Sequence, residues 1–462
     1  MSSSQPYRLF SPHPSKLPGS YIRNRLPSTK FLTKQNSRKN LAQAWSARRK
    51  WILLTVISSC QTSIAFTAAS YYNAVPSLNT HFGVKNSQLG MAAFSISQAV
   101  GCRLWRPFSD DMGRKSVTQA SLGLTNMSVL MCALSKSFGG VIGGRIVGGL
   151  SSAGCDVNMR IIQDMFDEDE QFCAVLWASL FICLGTVLAG VAGGAVQQFL
   201  DWRCTFWLQL ILGVATQLLH WLFTEEMRAS VLLDREAKRQ REKGSTNVYG
   251  PNYDKVWMEI FPFHKWVMAM FQPYEMITSE PIILLFALLS GYIDTLIFSY
   301  FERYSYILKQ WSFTPTSISF ILIALATSCV LGYFSFFPFV GNRKARRTKG
   351  ENLVPKTRLD RPLYYIIYLP HGLIICAFLI TGPPLHWFGV VVASVLIGIA
   401  NIWLCVALLF HFVYRYMSRT LGARKSASNP NLQDIQKPEV AVPMKGGLWD
   451  EAVLYIVGLL GY

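Results

Sequence analysis

Acid is scarce in this sequence. Its 462 residues hold 26 Asp and Glu against 44 Lys and Arg, and charged residues make up only 15% of the chain. So low a charge content excludes a solubilising disordered chain and leaves too little polar side chain to cover an ordinary water-soluble fold. Motifs of catalysis are missing as well: there is no HExxH, no GxSxG, no phosphate loop and no GxGxxG. The ten cysteines form no CxxC pair and lie in or beside apolar stretches, which reads as small hydrophobes in helix packing rather than zinc ligands or a disulfide framework. No metal, cofactor or enzymatic activity is expected.

Apolar residues fill the space that charge leaves: 51% of the chain is hydrophobic. Crossing a bilayer takes about 20 mostly apolar residues in a helix. Ten runs of roughly that length stand between charge clusters, near 51–74, 88–105, 117–135, 138–158, 173–197, 204–224, 282–303, 317–340, 363–381 and 387–412. Hydrocarbon offers the backbone no hydrogen bonds, so each run is predicted helical and the fold class is an all-α integral membrane protein. The competing reading is a large soluble helical protein with a very apolar core.

A net charge of +18 suggests nucleic acid until its distribution is read. Residues 1–50 carry eleven Lys or Arg and no acid, and the connections 225–281 and 341–362 carry eight each. With ten alternating helices these segments share one side, which the positive-inside rule makes cytoplasmic together with both termini. Basicity then reports orientation, and no nucleic-acid partner is expected. The acid-free, Ser-rich start also fits an organellar transit peptide, but a disordered cytosolic tail suits it as well. Since no apolar signal core precedes it, the first membrane helix is expected to direct insertion.

The parse is a basic tail (1–50), a six-helix bundle (51–224), a cytoplasmic linker (225–281), a second bundle with four recognisable helices (282–412), and a polar tail with a short apolar end (413–462). The linker reads as a charged helical extension, a turn, and an amphipathic segment lying on the membrane surface.

In "PFSDDMGRK", Asp110 closes one helix and Arg114 and Lys115 follow across a turn that Gly113 permits. Such an acid can pair with bases on its own loop or a neighbouring helix and hold a gate; a solvated loop is the bland alternative. An arginine inside a bilayer costs on the order of 3 kcal/mol, so Arg145 should face the bundle interior or a wet cavity. Helical steps put Gly149, Ser152 and Asp156 on its face, with Asp156 about 16 Å away and closer to Arg160. Glycines at 185, 190, 193 and 194 allow close helix approach. Asp294 lies near the centre of the seventh run and is the sharpest candidate for a protonatable group, with Glu302 towards its outer end. Tyr292, Phe298, Tyr300, Phe301 and Tyr304 crowd the same run. Cavity lining or plain packing both fit them; Gln61, Asn126, Tyr292, Phe298 and Phe301 are the substrate-cavity candidates.

These motifs together resemble a family. "GCRLWRPFSDDMGRKSV" is similar to the loop 2–3 signature of the major facilitator superfamily, in the form found in fungal drug:proton antiporters. Gly101, Pro107, Ser109, Asp110, Gly113, Arg114 and Lys115 match it, while Cys102 stands at a Pro and Arg103 intrudes. "NLAQAWSARRKW" resembles the stretch before the first helix through Asn40, Trp45, Ser46, Lys50 and Trp51. Arg145, Gly149 and Ala153 resemble the fourth-helix element. Gly185, Gly193 and Gly194 resemble the antiporter motif of the fifth helix, where Gly190 replaces a Pro, and Trp202, Arg203, Phe206 and Trp207 resemble the start of the sixth.

The resemblance implies two bundles that alternate access, a role for Arg145 in proton coupling, and export of small organic molecules across the plasma membrane. It also implies twelve helices, two more than are recognisable here. The second hypothesis is therefore a truncated, non-transporting membrane protein or a partner of another transporter.

Overall fold

The computed structural model describes residues 30–31, 42–166, 170–244, 248–250, 367–379 and 386–403, and from 284 to 338 all but 286–287, 290, 293–294, 297–299, 301–303 and 305–306. Helices account for nearly everything described. The first six apolar runs become α1 (Ala47–Phe82), α2 (Leu89–Met112), α3 (Arg114–Leu134), α4 (Phe138–Ser152) continuing into α5 (Asn158–Met165), α6 (Gln171–Phe199) and α7 (Trp202–Phe223). A charged helix, α8 (Ala229–Glu242), follows. In the second half stand α9 (Pro315–Ile321), α10 (Ile323–Phe334), α11 (Tyr368–Leu379) and α12 (Phe388–Trp403).

Local chemistry sets the helix starts. Asp201 accepts the Trp202 N–H ahead of α7, Ser137 accepts from Gly140 at the start of α4, and Thr314 accepts from Ser317 with Pro315 in the first turn of α9. Gly83, at φ 65°, closes α1 in the left-handed region.

Five helices among the described residues are long and apolar enough to span a bilayer: Ala47–Phe82, Arg114–Leu134, Cys173–Phe199, Trp202–Phe223 and Pro315–Phe334. The ten expected runs are thus met only in part by this measure. α2 is long enough but diluted by Ser95, Ser97, Gln98 and two arginines, and α4 is cut short by a 3-10 segment, Ala153–Val157. Large apolar side chains such as Ile211, Leu222, Met127 and Phe334 stand exposed on the outer helix faces, as a lipid-facing surface requires.

In the first bundle α1 packs along α6 and α7, α2 along α4, and α3 along α4 and α7. α6 also carries α9 and α10 on its other side and so joins the two bundles. A buried cluster ties the bundles at the end where α1 begins, here named the basic end: Leu53, Ile57, Ile162, Met165 and Ala178 pack with Tyr333, Phe336, Ile402 and Trp403. At this end a short parallel pairing of Lys30–Phe31 with Val248–Tyr249 lies beside α8, with Val248 packed on Leu233 and Ala237.

Candidate functional site

The link between α2 and α3 turns on Gly113, whose φ of 97° and ψ of 159° suit a residue without a side chain. A Cβ there would also run into the carboxylate of Glu226. Glu226 follows the end of α7, is 4% exposed, and gathers four backbone N–H groups. Its Oε1 accepts from Arg114 at 2.9 Å, Met227 at 3.1 Å and Arg228 at 3.0 Å, and its Oε2 accepts from Lys115 at 3.3 Å.

The first turn of a helix has N–H groups with no acceptor inside the helix and carries the positive end of the dipole, so a carboxylate there is stabilised by both. α3 therefore takes its cap from a residue 112 positions later. The Arg114 side chain turns the other way: Nη1 donates to Ser109 Oγ at 2.8 Å, and Nε and Nη2 each reach Asp164 Oδ2 on α5 at 3.4 Å. Lys115 Nζ donates to the Trp221 carbonyl at 3.3 Å, and Arg49 pairs with Glu225 alongside. The α2–α3 loop is thus clamped to both α5 and the α7–α8 junction.

Asp164 and Glu226 were not singled out from the sequence. The signal was present in "TEEMR": two acids ending an apolar helix on a side otherwise crowded with bases. Pro107 and Asp110 lie on the last turns of α2; their side chains fall outside what is described, so the expected pairing of Asp110 with nearby bases is untouched.

Arg145 is buried, 2% exposed, between α4, α1 and α2. Nη1 donates to the Thr67 carbonyl at 3.0 Å, Nη2 to that of Ala68 at 3.4 Å, and Nε to that of Gly90 at 3.3 Å. Its guanidinium carbon lies 4.1 Å from the ring centre of Phe94 and 4.6 Å from that of Tyr71. Carbonyl dipoles and ring faces are the surroundings a desolvated cation needs.

The regular helix that carries Arg145, Gly149 and Ser152 ends at Ser152, and the 3-10 segment Ala153–Val157 follows; the side chain of Asp156 falls outside what is described.

The fifth-helix glycines meet two different neighbours. Gly185 lies against Thr62 and Ala65, and Gly193 against Asn73, all on α1. Gly190 faces Leu322 and Gly194 faces Ser319 and the Pro315 carbonyl, in the second bundle. A Cβ at Gly194 would collide with the Ser319 hydroxyl. Beyond it, Gln198 Oε1 accepts the Thr316 N–H at 3.1 Å. Gly194→Val should force α6 and α9 apart at a cost of about 1–3 kcal/mol, the usual range for overpacking. The check is a Gln198→Cys/Thr316→Cys pair, whose oxidative cross-linking in membranes should fall steeply when Gly194→Val is added.

The remaining candidates divide. Gln61 is buried on α1. Asn126 sits in the α3–α7 contact, where Nδ2 donates to Gln217 Oε1 at 2.7 Å beside Gly213, and joins that helix pair. Tyr292 is 63% exposed. Tyr300 and Tyr304 pack inside the second bundle with rings 5.5 Å apart, and the Tyr300 hydroxyl meets Ser394 Oγ at 2.5 Å. Asp294, Phe298, Phe301 and Glu302 lie outside the described residues. No group of three or more His, Cys, Asp or Glu suited to a metal occurs among the described residues.

The sequence profile of the Major Facilitator Superfamily matches residues 54–429, spanning both bundles. The chain belongs to this superfamily. It is a multi-pass membrane protein of the superfamily's all-α fold, in which small molecules are carried across the bilayer. Among curated superfamily members, the Penicillium rubens transporter paaT is 26% identical over 385 residues, 81% of this chain and 68% of that protein. An ascochitine biosynthesis cluster transporter of Didymella fabae is 23% identical over 77% of this chain and 70% of its own. Polyamine transporter 4 of Saccharomyces cerevisiae is 24% identical over 83% of this chain and 62% of its own. Among solved structures, the E. coli xylose transporter XylE in a partially occluded inward-open conformation aligns with a TM-score of 0.54 at 13% identity, over 89% of this chain and 98% of its own. The human organic anion transporter MFSD10 aligns with a TM-score of 0.50 at 14% identity, over 90% and 92%. At such identities the structural likeness speaks for the fold alone.

Proposed function

We propose that this superfamily member is a proton-coupled exporter of small organic molecules, of the kind fungi use for drugs, toxins or secondary metabolites, acting at the plasma membrane with both termini in the cytoplasm. The buried guanidinium of Arg145 is the observation that carries this reading. A cation held among α1, α2 and α4 without bulk water is an expensive feature, and it sets a fixed field in which a nearby carboxyl gains or loses its proton. The antiporter-like glycines support the same reading, since four small residues let α6 slide against α1 on one side and α9 on the other. Two relatives named for transport in fungal biosynthesis clusters or of polyamines point to small organic cargo.

In this scheme the two bundles rock about α6 and its neighbours, and the clamp on the α2–α3 loop stiffens the cytoplasmic end in one of the two states. Asp294 is the proposed proton carrier. Asp294→Asn should abolish efflux driven by a pH gradient in vesicles while leaving the protein folded and inserted. Cargo for the assay comes from a resistance screen in a host stripped of its own exporters. Undiminished efflux in the variant would remove Asp294 from the mechanism.

A further inference from the structure

We infer that the start of α1 binds a phosphomonoester, supplied by the headgroup of an anionic phospholipid in the leaflet at the basic end, with Arg48 and Lys50 as its cationic ligands. α1 begins in a way that suits a helix badly. Its first turn carries Arg48 and Arg49 with Lys50 next and no acid, although the positive end of the dipole repels cations. Ser46, at the N-cap, makes no side-chain cap, and the N–H groups of Ala47, Arg48 and Arg49 find no acceptor among the described residues. The first backbone bond of the helix is that of the Lys50 N–H to the Ser46 carbonyl at 3.1 Å. α3 also starts on bases, and there Glu226 supplies the missing carboxylate to the amides. Its neighbour Glu225 reaches only the Arg49 side chain, which also lies 4.2 Å from the ring centre of Trp45. The amides of α1 are left open.

Lys50 is the second observation. It is 5% exposed, yet among the described residues no carboxylate or carbonyl meets its ammonium, which lies 5.8 Å from the ring centre of Phe166. Helical side chains lean towards the N-terminus, and Phe166 packs in one cluster with Ala42, in the 3-10 turn Ala42–Ala44 that precedes α1. The ammonium is thus directed back at the uncapped amides. With Arg49 paired, the exposed Arg48 and the buried Lys50 are the cations left over, and together they match the charge of about −2 on a phosphomonoester. A phosphate at a helix N-terminus accepts from the free amides and gains from the dipole as well. The depth suits a lipid. Trp221, Leu222 and Phe223 end α7 as exposed apolar side chains just ahead of Glu225, and Ile52 is exposed two residues beyond Lys50. Because Glu225 holds Arg49, the start of α1 lies where hydrocarbon gives way to headgroups. Asp167, Glu168 and Asp169, which follow Phe166, lie outside the described residues and are the competing source of negative charge within the chain. Nothing here depends on cargo or on proton-driven export.

The full chain in detergent is titrated with dioleoyl phosphatidic acid or dioleoyl phosphatidylcholine, and bound lipid is read by native mass spectrometry. Phosphatidic acid should bind about tenfold or more tighter than phosphatidylcholine. Lys50→Met and Arg48→Gln should each weaken it by about fivefold or more. Ser46→Asp places a carboxylate on the same amides and favours the helix, so it should weaken lipid binding in a folded protein and decides the matter if Lys50→Met does not fold. Arg235→Gln with Lys238→Gln, on the exposed face of α8, should leave binding unaltered. Inorganic phosphate in excess should leave the lipid in place; its displacing the lipid would assign the site to a soluble phosphate compound and overturn the lipid reading. Asp167→Asn with Glu168→Gln and Asp169→Asn should also change nothing, whereas a several-fold gain would mean that these acids already fill the site. The inference is equally overturned if the two lipids bind alike, if Ser46→Asp binds as the unaltered protein does, or if the α8 pair weakens binding as much as Lys50→Met.

Discussion

Glu226→Ala is expected to be the most damaging single change at the basic end. Four N–H groups lose a charged acceptor at once, and those of Arg114 and Lys115 have no helical alternative. Hydrogen bonds to a charged group contribute about 1.5–3 kcal/mol each, and stranded buried donors add to the loss, so a destabilisation of roughly 3 kcal/mol or more is anticipated. The measurement is thermal unfolding in detergent, with transport of an identified cargo alongside. Glu226→Gln supplies one acceptor oxygen without charge and should fall between the two. Gly113→Ala should resemble Glu226→Ala in kind, because its Cβ would displace the same carboxylate from a backbone that disfavours side chains. An unchanged melting temperature for Glu226→Ala would mean that the clamp adds nothing to the fold.

Arg145→Met is expected to separate stability from function. The carbonyls of Thr67 and Ala68 lie inside α1 and keep their helical bonds when the guanidinium is gone, so no buried acceptor is stranded there. Replacing a desolvated cation by an apolar side chain of similar volume also removes the cost of burying charge, which elsewhere has been neutral or stabilising by about 1–4 kcal/mol. The melting temperature should accordingly hold or rise. Transport should fall by about a hundredfold or more, equivalent to roughly 2.7 kcal/mol, if the field of Arg145 governs proton movement. Arg145→Lys keeps the charge but cannot fork to three carbonyls on two helices, and should recover only part of the rate. A variant that unfolds yet transports in proportion to the folded fraction would reduce Arg145 to a staple between α4, α1 and α2.

Much of the architecture was legible because lipid imposes it. Runs such as 173–197 and 204–224 emerge as α6 and α7 with ends only a few residues away, since hydrocarbon leaves the backbone no alternative to a helix. The interior position of Arg145 was legible for the same reason: a cation in an apolar run has nowhere else to go. The break of the fourth run at Ala153 was not, because nothing in "GLSSAGCDV" forbids a regular helix and the 3-10 turn answers to neighbours. That Asn126 donates to Gln217 was not legible either, because composition gives the depth of a side chain but not the helix it faces.

The sequence by itself determined the solvent, the helical class, the family likeness and which segments are basic, all properties set by composition or by spacing of a few residues. Only the tertiary structure decided that Glu226 caps α3, that Asp164 takes Arg114, and that four glycines divide between α1 and the second bundle. Each of those depends on residues far apart in the chain being pressed together, and in a bilayer it is close packing and the need to satisfy buried polar groups, rather than local propensity, that chooses the partners.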